Sequence, residues 1–202
     1  MKEIIIGTTN PAKVEQIKGA LQPLDLMVKG IEKGTLLPEV NEDGKTAQEN
    51  AQKKALAYAK ALNKDILSMD NALYLDGLAP EEQPGLNVRR IKNSEERPTD
   101  EDLLAYYSNL VQRLGGKING RWEFAVCFAK PTGEIHEMTI ISPRIFTSQI
   151  SPSVIPGYPL ESIQIDPKNG KYISEMNEKE QTLFWQEAIG RELMDFVQSI
   201  VI

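Results

Sequence analysis

The chain opens on an apolar run that feeds straight into a helix start, and this junction narrows the folds open to it. Lys2-Glu3-Ile4-Ile5-Ile6-Gly7 reads as a short buried strand. Thr8-Thr9-Asn10-Pro11-Ala12-Lys13 follows at once, with Asn10 a good helix N-cap and Pro11 suited to the first helical position. The helix carries Val14, Ile17, Ala20 and Leu21, and Pro23 ends it. A strand handed to a helix through small polar residues makes a natural anion site, because free amides and the positive end of the helix dipole point at the junction. Lys13 stands one turn into the helix, where its amine can reach the same anion.

The rest of the chain repeats this grammar. Residues 24–45 are irregular, with a weak strand at Leu26-Met27-Val28 and a carboxylate-rich loop at 37–44. Thr46 and Glu49 form a capping box that opens a helix running to about Leu62, with Ala47, Ala51, Ala55 and Ala59 at helical spacing and Lys54 among them. Ile66-Leu67-Ser68-Met69 reads as a second short buried strand, with Asp70-Asn71 at its end. A carboxylate at a strand's C-terminal end is where open α/β sheets place ligands. A Pro- and charge-rich connection, 79–98, leads to a helix capped by Thr99 and stopped by Gly115-Gly116. Trp122, Phe124, Val126 and Phe128 alternate as in an antiparallel strand. A turn at 131–134, a return strand at 135–142 and a further strand at 144–150 follow. A long loop, 151–172, precedes a last helix over about 178–199.

Composition then excludes whole classes of function. The single cysteine, Cys127, rules out an internal disulfide, and the single histidine, His136, leaves little for a His-paired zinc site or a Ser-His-Asp triad. No apolar run approaches the roughly 20 residues of a membrane helix, the N-terminal apolar run is too short for a signal peptide, and a reducing cytoplasm is the expected compartment. The net charge of −6 argues against a nucleic-acid partner, which calls for a basic face. It does not argue against a small anion, which needs only local cations and a magnesium ion.

Three blocks, in order, resemble the inosine/xanthosine triphosphate pyrophosphatase (Ham1-like) family. Thr8-Thr9-Asn10-Pro11-Ala12-Lys13 is similar to that family's T-G-N-x-x-K turn, and the run from Glu42 to Ala55 to its E-T-G-x-T-F-x-E-N-A-x-x-K-A. The run from Ser68 to Leu78 resembles A-D-D-S-G-L-x-V-D-A-L, with Met69 in place of the first aspartate, and Gln83-Pro84-Gly85 resembles the following A-P-G. The C-terminal third departs from the pattern. The F-G-Y-D-P loop becomes Pro156-Gly157-Tyr158-Pro159, and the lysine and the S-H-R-G box are absent around Gln181 and Trp185-Gln186-Glu187.

The resemblance implies an α/β fold over residues 1–202 as a single domain: a long twisted mixed sheet flanked by helices, in two lobes with a central cleft. It also implies a homodimer that hydrolyses non-standard nucleoside triphosphates, such as those of inosine and xanthosine, to the monophosphate and pyrophosphate with Mg2+. On this reading Asp70 is metal ligand and general base, and Glu42 is the partner metal ligand, with Glu39 competing for that role. Lys13 and Lys54 hold the triphosphate, and Thr8, Asn10 and Asn71 contact the substrate. Tyr158 stacks on the base. Each has a plainer reading: a solvated carboxylate for Asp70 or Glu42, a surface ion pair for Lys54, a solvated face for Lys13, a cap for Asn10, loop packing for Tyr158. The missing base-grip residues leave open a changed specificity or a non-catalytic nucleotide-binding relative. His136 reads as structural or exposed, Cys127 as a packed small hydrophobe, and Phe184 and Trp185 as core or dimer surface.

Overall fold

A computed structural model describes residues 3–91 and 98–201. Six strands form one mixed sheet, in the order β2-β1-β3-β4-β5-β6: β1 is Glu3–Ile6, β2 Met27–Gly30, β3 Ile66–Leu75, β4 Lys117–Ala129, β5 Ile135–Thr147 and β6 Gln164–Ile165. Helices α1 (Pro11–Leu21), α2 (Ala47–Leu62), α3 (Asp100–Arg113), α4 (Glu178–Trp185) and α5 (Arg191–Val201) complete the α/β architecture that the resemblance implies. The chain divides into two compact units. The first comprises Met1–Asn71, Glu123–Ile140 and Thr182–Ile202, and the second Ala72–Trp122 and Ile141–Gln181.

In the first unit β1 pairs in parallel with β2 and with β3, so the opening strand–helix–strand run folds as a βαβ unit. Ile4 and Ile6 are almost wholly buried, as are Ile66 and Leu67 opposite. The strand ends on Gly7, whose amide donates to the Leu67 carbonyl at 2.8 Å. A Cβ there would lie 2.3 Å from Ser68 Oγ, so only glycine admits this approach between β1 and β3. Helix α2 turns Ala51, Ala55 and Ala59 inward at 0% exposure, a stripe of small side chains that lets the helix sit close to its neighbours. Thr46 Oγ1 accepts from the Glu49 amide at 3.1 Å, the expected cap, but Glu49 Oε2 takes the Lys45 amide at 2.7 Å rather than that of Thr46.

The second unit is built on Leu73, Leu75, Leu103, Tyr107, Val111 and Phe146, all nearly inaccessible. Helix α3 starts with a full capping box, Thr99 Oγ1 accepting from the Asp102 amide and Asp102 Oδ2 from the Thr99 amide. β5 and β6 are antiparallel, with Phe146 opposite Gln164.

Several expectations need correction. Asp70 does not end a strand: β3 runs on to Leu75, because a second apolar stretch, Ala72-Leu73 and Leu75, takes up the burial after two half-buried positions. Asp70 and Asn71 are instead the last residues that β3 contributes to the first unit. β4 does not alternate, since every residue from Phe124 to Ala129 is buried. The two strands expected over 135–150 are one, β5, with Pro143 inside it. The loop over 151–172 carries a 3-10 turn at Pro159–Ser162 and the short strand β6. The last helix is interrupted by a π-helical turn, Gln186–Gly190, closed by the Arg191 amide donating to the Gln186 carbonyl. Within the connection 79–98, positions 92–97 lie outside the described residues, as does Lys2 of the first predicted strand.

Candidate functional site

The alanine stripe that buries α2 also decides where Lys54 points. Lys54 shares the buried face with Asn50, Ala51 and Ala55, so its stem is carried inward and only its amine reaches polar company. Nζ stands 3.3 Å from Glu42 Oε1 and 3.7 Å from Asp70 Oδ1. The side chains of Lys54 and Asp70 are 11% and 16% exposed, that of Glu42 49%, so the first two lie inside and Glu42 closes the group toward solvent. Glu39, the rival for the Glu42 role, is exposed. Between them the two carboxylates hold one cation in place.

Lys13 arrives from the other element. Its amine donates to the Met69 carbonyl at 3.5 Å, which brings the first turn of α1 to the residue before Asp70. Thr8 Oγ1 accepts from the Asn10 amide at 3.2 Å, and the Asn10 carbonyl accepts from the Val14 amide. The strand-to-helix turn is thus fixed by Thr8, and Asn10 opens the helix with its backbone. Asn71 is half-buried, and its Oδ1 is inaccessible and has no hydrogen-bond partner. Thr8, Asn10, Lys13, Glu42, Lys54, Asp70 and Asn71 all belong to the first unit, and the structure gathers Lys13, Glu42 and Lys54 around Met69 and Asp70 of β3.

The loop that carries Glu42 is tied down residue by residue. Asp43 pairs with Lys53, which holds its carboxyl below the usual carboxylate range, and accepts from Asn41 Nδ2 at 2.8 Å. Asn50 Oδ1 accepts from the Gly44 amide at 2.8 Å.

Tyr158 belongs to the second unit. Its hydroxyl is inaccessible and without a hydrogen-bond partner, and burial pushes the phenol up to about 12, with the Glu161 charge adding and Arg89 opposing. The preceding residue is held from both sides: the Gly157 amide donates to Asp100 Oδ2 at 2.6 Å and its carbonyl accepts from Arg89, which pairs with Asp100. Nearby burial has collected charge that sequence reading did not single out. Arg144, Glu161 and Asp166 are each less than a tenth exposed. Burial raises Glu161 to about 7 against the pull of Arg144, and lowers Arg144 to about 10 against Glu161 and Asp166. The signal was weak because Glu161 sits in a Pro-rich stretch and Arg144 reads as an ordinary strand residue.

The remaining candidates fall on the plain side. Cys127 is wholly buried and its thiol is pushed up to about 12 by burial, which suits a packed small hydrophobe. His136 lies 2.8 Å from Glu134 at the surface. Trp185 meets Phe124 and Phe184 edge-on, at 6.5 and 5.2 Å between ring centroids, and so joins an aromatic cluster of the first unit. Among the described residues no helix is long and apolar enough to cross a membrane, and no group of three or more His, Cys, Asp or Glu could hold a metal ion.

The chain as a whole is similar to known proteins. A model of the Ham1 family matches residues 4–187. The dITP/XTP pyrophosphatase of an Exiguobacterium species is 30% identical over 183 residues, covering 90% of this chain and 89% of that protein. The dITP/XTP pyrophosphatase of Bacillus subtilis is 41% identical over 90 residues, 45% of this chain and 44% of that protein. Among solved structures, the Ham1 protein of Staphylococcus aureus superposes with a TM-score of 0.71 at 22% identity, covering 98% of both chains. A HAM1 protein from Coxiella burnetii gives 0.71 at 18% identity, covering 98% of this chain and all of its own. These two likenesses bear on the fold.

Proposed function

The chain belongs to the Ham1 family, and on that premise we propose that it is a pyrophosphatase hydrolysing non-standard nucleoside triphosphates, such as those of inosine and xanthosine, to the monophosphate and pyrophosphate. The observation that carries the reading is Lys54 held between Glu42 and Asp70, with Lys13 one residue away at Met69. Triphosphate chemistry needs cations for the phosphate oxygens and a carboxylate to receive the proton of the attacking water. A scaffold has no need of that set gathered around one partly buried lysine.

The donor set fits Mg2+. Magnesium is usually held by one or two carboxylates, with substrate phosphates and waters completing the octahedron. Glu42 and Asp70 are such a pair, and they already share one cation, the Lys54 ammonium. When bound, the ion neutralises charge on the phosphate oxygens and polarises the bond that breaks. Asp70 takes the proton of the attacking water on its carboxylate. Lys13 and Lys54 bind the triphosphate as point charges, and the positive end of the α1 dipole lies beside Thr8 and Asn10. Asn71 offers an amide whose oxygen is already desolvated and unpaired.

The base is where this chain leaves the family pattern. The lysine, histidine and arginine of the family's C-terminal boxes are absent, and a π-helical turn occupies Gln186–Gly190. Without those donors a site loses the hydrogen bonds that reject an analogue lacking the matching group. The reading therefore includes weak or altered discrimination between inosine or xanthosine triphosphate and the standard nucleotides. It also includes a homodimer working in the cytoplasm, against which a 22.6 kDa species alone in sedimentation at micromolar concentration would count.

The test is pyrophosphate release from a nucleotide panel, with and without magnesium. Magnesium-dependent release across several bases is the expected result. Release from none of them overturns the catalytic reading in favour of a nucleotide-binding relative. A sharp preference for inosine triphosphate overturns the specificity and assigns base reading to other residues, Gln186 and Glu187 first.

A further inference from the structure

We propose that Asn50 is the positioning residue that sets Glu42 for its cation, acting through the backbone of Gly44. The proposal rests on the metal-ligand reading of Glu42 and adds how that carboxylate is held. Glu42 lies in a stretch without regular hydrogen bonding between β2 and α2, so no helical or sheet backbone ladder fixes it. A half-exposed carboxylate on such a loop loses rotamer and backbone freedom when it engages an ion. That cost falls if the loop is already anchored.

The anchor is Asn50. Asn50 is 3% exposed, in the first turns of α2, and its Oδ1 accepts from the Gly44 amide at 2.8 Å. Gly44 is packed onto this contact: a Cβ would fall 2.5 Å from Asn50 Oδ1 and 2.8 Å from Glu49 Cβ. Lys54 follows Asn50 by one helical turn on the same buried face. One face of α2 thus holds the loop twice, Asn50 by its backbone at Gly44 and Lys54 by its carboxylate at Glu42. The backbone contact is the one that survives when a metal ion or a triphosphate takes over the charges. Asn50 does not touch the reacting atoms. Its part resembles that of outer-shell groups that orient metal ligands, whose loss costs on the order of 10–100-fold in metal affinity or activity.

The experiment measures Mn2+ binding to the nucleotide-free protein by the electron paramagnetic resonance of the free ion, beside thermal unfolding of each variant. Asn50→Leu keeps the volume and removes the acceptor, and Asn50→Asp keeps an acceptor oxygen facing Gly44. Asn50→Leu is expected to weaken Mn2+ binding on the order of 10-fold. Asn50→Asp is expected to return it to the wild-type value or tighter. In a Glu42→Gln background Asn50→Leu should cost nothing further. Unchanged binding in Asn50→Leu, while Glu42→Gln weakens it, overturns the positioning role and leaves the metal reading intact. Equal losses in Asn50→Leu and Asn50→Asp overturn it too, since shape rather than the acceptor would then matter. Unchanged binding in Glu42→Gln overturns the metal reading and the positioning role together. If Asn50→Leu does not fold, Gly44→Ala disturbs the same contact from the loop side, and wild-type Mn2+ binding there overturns the proposal.

Discussion

Lys54 Nζ lies 3.7 Å from Asp70 Oδ1, with both side chains largely withdrawn from solvent, so α2 and the middle of β3 meet through a charge pair. Withdrawn from water, such a pair is electrostatically stronger than on the surface and strongly penalised when one member is lost. The same two residues carry the proposed chemistry.

Asp70→Asn keeps the shape and removes both the negative charge and the proposed base. Loss of a general base costs about 10²–10⁴-fold in rate, and loss of a metal contact adds to it. Steady-state pyrophosphate release is expected to fall by at least that factor at saturating magnesium. Activity equal to wild type would remove Asp70 from the mechanism.

Lys13→Ala removes the point charge proposed to hold the triphosphate and leaves the carboxylates in place. Its effect should appear as a raised KM, with kcat the less affected constant. A variant with unchanged KM and depressed kcat would instead place Lys13 at the transition state.

Glu161 makes stability depend on pH. Its folded value of about 7 lies above the ordinary 4.5, so between those values the folded protein holds a proton that the unfolded chain has released. Stability from this group is therefore present at pH 4.5 and falls as pH rises toward 7, by about 3 kcal/mol in all. Denaturant unfolding across that window should show the decline, and Glu161→Gln should flatten it. A Glu161→Gln protein with the same slope would assign the dependence elsewhere.

Thr46→Ala deletes the hydroxyl that accepts from the Glu49 amide. The loss should be about 1 kcal/mol, read as a lowered thermal midpoint.

How far the residues alone reach is clear from particular elements. The first βα junction and the caps at Thr46 and Thr99 rest on local rules, which act within a few residues. The candidate site within the first unit was legible through the family resemblance of the blocks that carry Lys13, Glu42, Lys54 and Asp70. What misled was long-range. Asp70 looked like a strand end because two polar residues interrupt an apolar run, and only the sheet pairing shows the strand continuing to Leu75. The alternation of β4 vanished because both of its faces are covered between Phe124 and Ala129. Charges such as Arg144 and Glu161 acquire meaning only from burial, which no local pattern encodes.

The π-helical turn at Gln186–Gly190 has a consequence for chain length. Its closing bond spans five residues, from the Arg191 amide to the Gln186 carbonyl, where a regular helix spans four. Relative to an uninterrupted helix the turn stores one surplus residue, and everything beyond it is rotated by roughly 100°. Deleting one residue there should regularise the turn while leaving the apolar seam of Leu193, Val197 and Val201 against the first unit's core in register with what precedes it. The chain thus has, within its last helical stretch, a point at which its length can change by one residue without either flanking helix losing its phase.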